Sequence, residues 1–529
     1  MDSYVSPLTA RELLNLQDLV HDFPKKVVDR LCMLYTISNL TDKEKLAVIG
    51  ILTDHGGDMG DRRALTKAIK LGTSLDQDSM DSVDRSMLNY RIGTAFSNRA
   101  GATRPEKEWA WEHEDIEDAI RYFRRSIRED GMDELPLIEQ CRALTNLGNT
   151  YSRVGRFIEA FDYWNEALIR NPHFYQSRGQ RGIGYYIYAR HLADAGHKRV
   201  LLSKARYELE TTICAPIHES LQYQFNRYLA RLERYPLDLH SKNLEFGEYE
   251  LGESGAEKEY REWCLQHRLF LNPLNEVTDE TIAAQDVHDL GTLHSEHSSR
   301  IITYLGLWNN LVQEYATARH LLYQGFHPDD THFADQDVQQ INTLDYSIHS
   351  IYVEQLKIAL RTAYSILDKI AQFLNYYYEC GRDTDDLSFK DIWYEPKHSD
   401  NLRTAFKKRE NLPLRGLYWL SKDFKDDGLY VEGSLDTGGE ELKDLRNGLE
   451  HRYVKVTAFG DIDRGRLSDE LATVMDRSQF EQKALSMVRK ARAGLLYLSL
   501  AVYHEERSSA DQESIHAPLR LGQFGNSLQ

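Results

Sequence analysis

The chain of 529 residues has no run of about 18 apolar residues, which excludes a conventional membrane-spanning helix. Its start, "MDSYVSPLTARELLNLQDLV", lacks a basic stretch followed by an apolar core, so no secretory signal is expected there. Cysteine is scarce. Cys32, Cys141, Cys214, Cys264 and Cys380 lie far apart, are odd in number and form no C-x-x-C pair. That usage excludes a disulfide framework and a cysteine-based zinc site, and it fits a reduced, cytoplasmic protein. No G-x-x-x-x-G-K-[ST] occurs, hence no P-loop nucleotide site. Positive charge is in deficit: 65 Lys and Arg stand against 83 Asp and Glu, a net charge of −18. Proteins that coat nucleic acid neutralise its phosphates with cations, so a general nucleic-acid binder is excluded. An RNA partner would have to be handled at a local site that acts on the strand and releases it.

What is present is a soluble globular composition, 41% hydrophobic and 28% charged, long enough for roughly three domains. Glycine and proline are sparse and the apolar spacing is mostly helical, which predicts an almost all-α chain. The clearest repeat is "LTNLGNTYSRVGRFIEAFDYWNEALIRNP", with Leu147, Gly148, Tyr151, Gly155, Ala160, Trp164, Ala167 and Pro172. These spacings resemble the tetratricopeptide unit of about 34 residues, in which small residues let two antiparallel helices approach closely. Ile92, Gly93, Phe96, Ala119, Phe123 and Ser126 repeat it loosely, around an extra loop at "RAGATRPEKEWAWEHED". Gly182, Tyr185, Ala205 and Thr212 form a weaker third unit. The expected order is an N-terminal helical region over 1–80, tetratricopeptide-like repeats over 81–235, a bridging segment over 236–299, a helical bundle over 300–508 and a loosely ordered tail over 509–529. Trp263, Leu269, Leu271 and Leu274 are expected to pin the bridge against one neighbour.

Four helical stretches predict the bundle: 344–378, 402–424 (split by Pro413), "EELKDLRNGLEHRYVKV", and "SQFEQKALSMVRKARAGLLYLSLAVYHEE", with an earlier helix over 300–323 docked beside them. On the third, at about 100° per residue, Leu442, Leu445, Leu449, Tyr453 and Val456 share one stripe, which must face the core. Asn447 and His451, four apart, stack on a face turned away from that stripe, and Arg446 flanks them. One phosphate could there meet a guanidinium, an amide and an imidazole; the competing reading is an ordinary solvated helix face.

Arg446, Asn447, His451 and Tyr453, read as R-N-x-x-x-H-x-Y near the C-terminal end of a helical chain, resemble the HEPN superfamily. "NLPLRGLYWLSKDF" and "FLNPLNE" also look like HEPN proteins that carry helical repeats in front. The resemblance implies a metal-independent endoribonuclease without cofactor, acting as a homodimer or larger even assembly in which two outward faces build one composite site. It implies His451 as general base or acid, Arg446 on the scissile phosphate and Asn447 orienting one or the other, with Glu450, Arg452 and Tyr453 as accessory positions. Arg446, Arg452 and Lys455 would line the cleft. Tyr453 falls on the core stripe and reads first as a packing residue; a site role, or modification by a partner as in some HEPN toxin systems, is the alternative. The RNA substrate is the expected partner, with a protein or peptide trigger at the repeats, in antiviral defence or toxin-type growth arrest, and no membrane.

Two weaker constellations compete. His288, His294 and His297 with Asp286, Asp289 and Glu296 could bind a metal, but no second pair is spaced to match. The acidic stretch Phe326 to Asp337 could hold a divalent cation but reads as a solvated connector. Two other function classes stay open: a non-catalytic adaptor that dimerises and recruits partners, and an RNA or nucleotide sensor that binds without cutting.

Overall fold

The computed structural model describes residues 8–34, 37–102, 109–235, 247, 249–293, 298–328, 331–341, 345–383, 387–395, 401–424, 445, 448, 452–458 and 471–508. The described residues are all-α apart from one small sheet. They divide into two compact units, one holding 8–185 and 205–235, the other 186–204 and the described residues from 247 onward.

The first unit begins with α1 (Ala10–Leu19), α2 (Pro24–Cys32), α3 (Asp42–Asp58) and α4 (Arg62–Thr73). The start of α3 is sharply defined: Thr41 Oγ1 accepts from the Glu44 N–H, while the Glu44 carboxylate accepts from the Thr41 N–H, a reciprocal capping box. Helical pairs follow: α5 (Ser82–Gly101) with α6 (Glu114–Arg128), then α7 (Leu137–Arg153) with α8 (Phe157–Arg170). Leu147, Tyr151, Ala160, Trp164 and Ala167 of the second pair are all buried. A Cβ on Gly148 would lie 2.7 Å from Trp164 Nε1, so only glycine lets α7 approach α8 this closely. The α5–α6 pair repeats the contact, with a Cβ on Gly93 falling 2.9 Å from Phe123. The next helices, α9 (Tyr175–His191) and α10 (Ala195–Ile213), bury Tyr185, Ala205 and Thr212 and bring Gly182 against Leu209. The helix α11 (Glu219–Leu232) follows.

The second unit is built around a helical bundle. After α12 (Gly255–Gln266) come α13 (Ser298–Phe326), α14 (Ile351–Tyr377), the short α15 (Thr404–Lys407) and α16 (Leu412–Ser421); α17 (Arg477–Ser508) closes it. The helix α14 buries Val353, Leu356, Leu360, Ala363, Leu367, Ile370 and Leu374, an apolar stripe of helical period that specifies the inward face. The helix α16 is buried from Pro413 to Ser421, as expected of an element surrounded by others. Pro413 does not split this helix. It occupies its first turn, where a missing N–H costs nothing, and Asn411 caps the Leu414 N–H at 3.0 Å. The helix α13 is a full member of the bundle rather than an accessory, packed along α14 and also against α17.

Trp263, Leu269, Leu271 and Leu274 are buried as anticipated, but against more than one neighbour. The Trp263 ring meets Tyr323 and Phe326 of α13 at centroid distances of 5.6 and 5.4 Å. Arg319 of α13 pairs with Asp286 at 2.7 Å. Arg492 of α17 donates to the Phe270 carbonyl at 2.7 Å and to Glu276 at 2.5 Å. Residues 255–291 are thus bolted to two bundle helices by charge pairs, of which Arg492–Glu276 is buried on both sides.

Candidate functional site

The stretch that carries the sequence motif lies between α16 and α17. Arg446, Asn447, Glu450 and His451 fall outside the described residues, as do Leu442 and Leu449 of the apolar stripe. Their described neighbours define the surroundings. Leu445 is helical and fully buried, as the stripe requires. Gly448 is helical too, and a Cβ there would meet Val454 at 3.1 Å and Thr473 at 3.2 Å. The Arg452 N–H donates to the Gly448 carbonyl at 3.1 Å, an i to i−4 bond of helical type, and Arg452 itself is exposed.

The helix does not continue through Val456. Residues Tyr453–Thr457 form a strand, β1, paired in parallel with β2 (Ala472–Asp476) in the register Tyr453 to Ala472 through Thr457 to Asp476. On its other side β1 meets 346–348: the Ile348 N–H donates to Val456 O at 2.8 Å and the Ala458 N–H to Tyr346 O at 3.1 Å. The alternation of a strand therefore replaces the helical stripe. Val454 and Val456 point into the core at 3% and 1% exposure, while Tyr453 is 44% exposed. Tyr453 is not a core-packing residue. The signal was present in "YVKVT", whose valines recur at period two. Lys455 is held by Asp345 at 2.8 Å and lies 5.8 Å from the Tyr453 ring centroid, so its charge is already engaged beside the motif.

In the bundle a buried pair, Lys490 with Asp423 at 2.5 Å, links α17 to the turn just after α16. Asp286 is committed to Arg319: burial alone would push its carboxyl up, but the guanidinium overrides this and holds it below the usual carboxylate range. His288 lines a cavity formed with other elements, and His294, Glu296 and His297 fall outside the described residues. Among the described residues no group of three His, Cys, Asp or Glu side chains is placed to hold a metal ion. In the connector after α13, the Asp335 carboxylate accepts from the Ile351 N–H at 2.9 Å and so helps to start α14.

Residues 295–505 match the family model of the LA2681-like HEPN domain. The match supports a HEPN-superfamily domain at the C-terminal end of the chain. It takes in α13 through most of α17, with the sheet and the motif stretch between them. An uncharacterized protein of Methanocaldococcus jannaschii is 42% identical over 67 residues, 12% of this chain. The chain spans 15% of that protein's length. No solved structure matches.

Proposed function

We propose that the protein is a metal-independent endoribonuclease, cutting RNA through its HEPN domain, with its helical repeats sensing a trigger. The observation that carries this reading is the HEPN match over 295–505 together with Arg446, Asn447 and His451 inside it. A scaffold has no need of that trio at this spacing. RNA supplies its own nucleophile, the 2′-OH. His451 takes or delivers the proton, since imidazole titrates nearest neutral pH. Arg446 binds the scissile phosphate and stabilises the charge that builds in the transition state. Asn447 orients the phosphate or the imidazole, and the exposed Tyr453 and Arg452 stand where a bound strand would pass. The products are a 2′,3′-cyclic phosphate and a 5′-OH.

The catalytic unit in this reading is a homodimer, two motif faces closing into one cleft. A lone Arg and His open to water are screened, whereas a closed site makes the same charges count for more. The helical pairs of the first unit, with the Gly148–Trp164 and Gly93–Phe123 contacts recurring, support a tetratricopeptide-like array. Such arrays offer concave surfaces suited to a peptide or protein trigger, in keeping with a role in bacterial defence or toxin-type growth arrest.

The test is RNA cleavage by the purified full chain, its His451→Ala and Arg446→Ala variants, and a mixture of the two, with EDTA and with a substrate deoxy at the cut position. Cleavage that survives EDTA, fails on the deoxy substrate and disappears in both variants at unchanged melting temperature is expected. Full activity in either variant refutes the site. Binding of RNA without cutting supports the sensor class instead, and neither binding nor cutting supports the adaptor.

A further inference from the structure

The second unit contains a cavity of about 330 Å³ whose walls come from three separate parts of the chain. The end of α9 and the start of α10 supply His191 and His197, the segment after α12 supplies Asn272, Gln285 and His288, and the end of α17 supplies Tyr503. None of these residues belongs to the motif stretch. The volume lies in the range of small-molecule sites, which pair apolar walls with a few convergent polar groups. Leu192, Leu274, Ile282 and Val287 provide the apolar part here.

The polar lining has a definite charge character. Among the described residues no Lys or Arg lines the cavity, while Asp194 and Asp289 do. Arg492 of α17, which acts on His288, is already bound to Glu276. His288 Nε2 is buried and has no hydrogen-bond partner, a state that costs free energy until something fills it. Burial, with His197 and Arg492 nearby, holds the His288 pKa down to about 3. His191 is likewise lowered to about 3, by burial and then by His504, Arg190 and Arg507. Both rings are neutral at physiological pH; His288 already bonds the Leu496 backbone, which leaves its Nε2 to meet a ligand. A phosphate or carboxylate entering this cavity would meet two carboxylates and, among the described residues, no Lys or Arg.

We propose that this cavity is a binding site for a small polar molecule of zero or positive charge, held through N–H or O–H groups by His288, Gln285 and the other polar walls. Because the lining joins α17 to two segments outside the bundle core, occupancy ties these elements together and stabilises the unit. Two sources share this chemistry: neutral heterocycles and organic amines. Paired probes separate them from each other and from anions. Adenosine and agmatine are each compared with a counterpart that adds a negative group, adenosine 5′-monophosphate and arginine.

The experiment is thermal shift and titration calorimetry on the full chain at pH 7.5 with these four compounds. At least one of adenosine and agmatine is expected to bind, raising the midpoint by about 5 °C at a hundredfold excess over Kd. Its anionic counterpart should bind at least tenfold more weakly. Gln285→Ala, at the partly exposed rim, and His288→Ala should each weaken binding at least tenfold, the former without changing the melting temperature of the free protein. The proposal is overturned if none of the four binds at millimolar concentration, if the anionic members bind as well as their partners, or if both variants bind like the native chain.

Discussion

Replacing Gly148 by alanine sets two well-known effects against each other, and the structure decides which wins. In an exposed helix the change would stabilise by up to about 1 kcal/mol, because glycine loses more backbone entropy on folding. Here the new methyl would sit 2.7 Å from Trp164 Nε1 and 2.9 Å from Cδ1, with the Ala160 carbonyl 3.2 Å away. Trp164 has little room to retreat. It is 1% exposed, and on its other side the position of a Cβ on Gly184 lies 2.4 Å from Cζ3. Any shift also strains the Trp164 Nε1 to Asn149 Oδ1 hydrogen bond of 3.0 Å. Overpacking a core costs about 1–3 kcal/mol and a weakened hydrogen bond about 1. Offset by the helix gain of about 1, the net loss is about 1–3 kcal/mol. That corresponds to a fall in melting temperature of about 2–10 °C. Gly306, inside α13 with nothing within 4 Å of a Cβ, is the control: the same substitution there should stabilise by about 0.5–1 kcal/mol. Both variants are measured by thermal unfolding followed through far-ultraviolet circular dichroism and tryptophan fluorescence. A Gly148→Ala protein melting at or above the native midpoint would refute the close approach of α7 and α8.

Arg492→Met should destabilise the second unit by about 3–5 kcal/mol in urea denaturation, because it strands Glu276 as a buried charge beside unpaired carbonyls; adding Glu276→Met should recover part of the loss, and no recovery would mean that the carbonyl contacts dominate. Acid should destabilise the same unit as pH falls from about 6.5 toward 3. The unfolded imidazoles of His191 and His288 take up protons from about 6.5 downward, while their folded counterparts wait until about 3. Each therefore contributes a slope of up to about 1.4 kcal/mol per pH unit over that window; a flat midpoint from pH 7 to 5 would contradict their burial. Val456→Ala, removing a side chain 1% exposed, should cost about 1–3 kcal/mol, whereas Tyr453→Ser should cost less than about 1 because that side chain is half exposed. The reverse order, measured by chemical denaturation, would restore the helical stripe and dismiss the strand.

Much of the helical framework was legible from local pattern. The apolar residues of α14 recur at helical period, and residues whose neighbours along the chain can supply the whole pattern need no distant partner to declare themselves. Leu147, Gly148, Tyr151 and Trp164 announced a helical pair because the small and large residues that must meet lie within one short repeat. The motif stretch was legible as a motif, and Leu445 as its buried anchor, while the positions of Arg446, Asn447 and His451 themselves rest on the sequence alone.

Tertiary structure decided what local pattern left ambiguous. Leu445, Tyr453 and Val456 fit a helix and Val454 and Val456 fit a strand. A strand needs hydrogen-bonding partners, and these are 346–348 and 472–476, which no local window contains. Pro413 reads as a break until Asn411 is seen capping the turn it begins. The role of residues 255–291 depends on Arg319 and on Arg492, the latter 216 positions from its partner Glu276. The histidines that share the cavity come from α9, α10 and the segment after α12. Helical period is set by contacts three and four residues apart, so a single sequence carries it. Strand partners, buried charge pairs and cavities are set by which distant segments pack together, and that choice belongs to the folded chain as a whole.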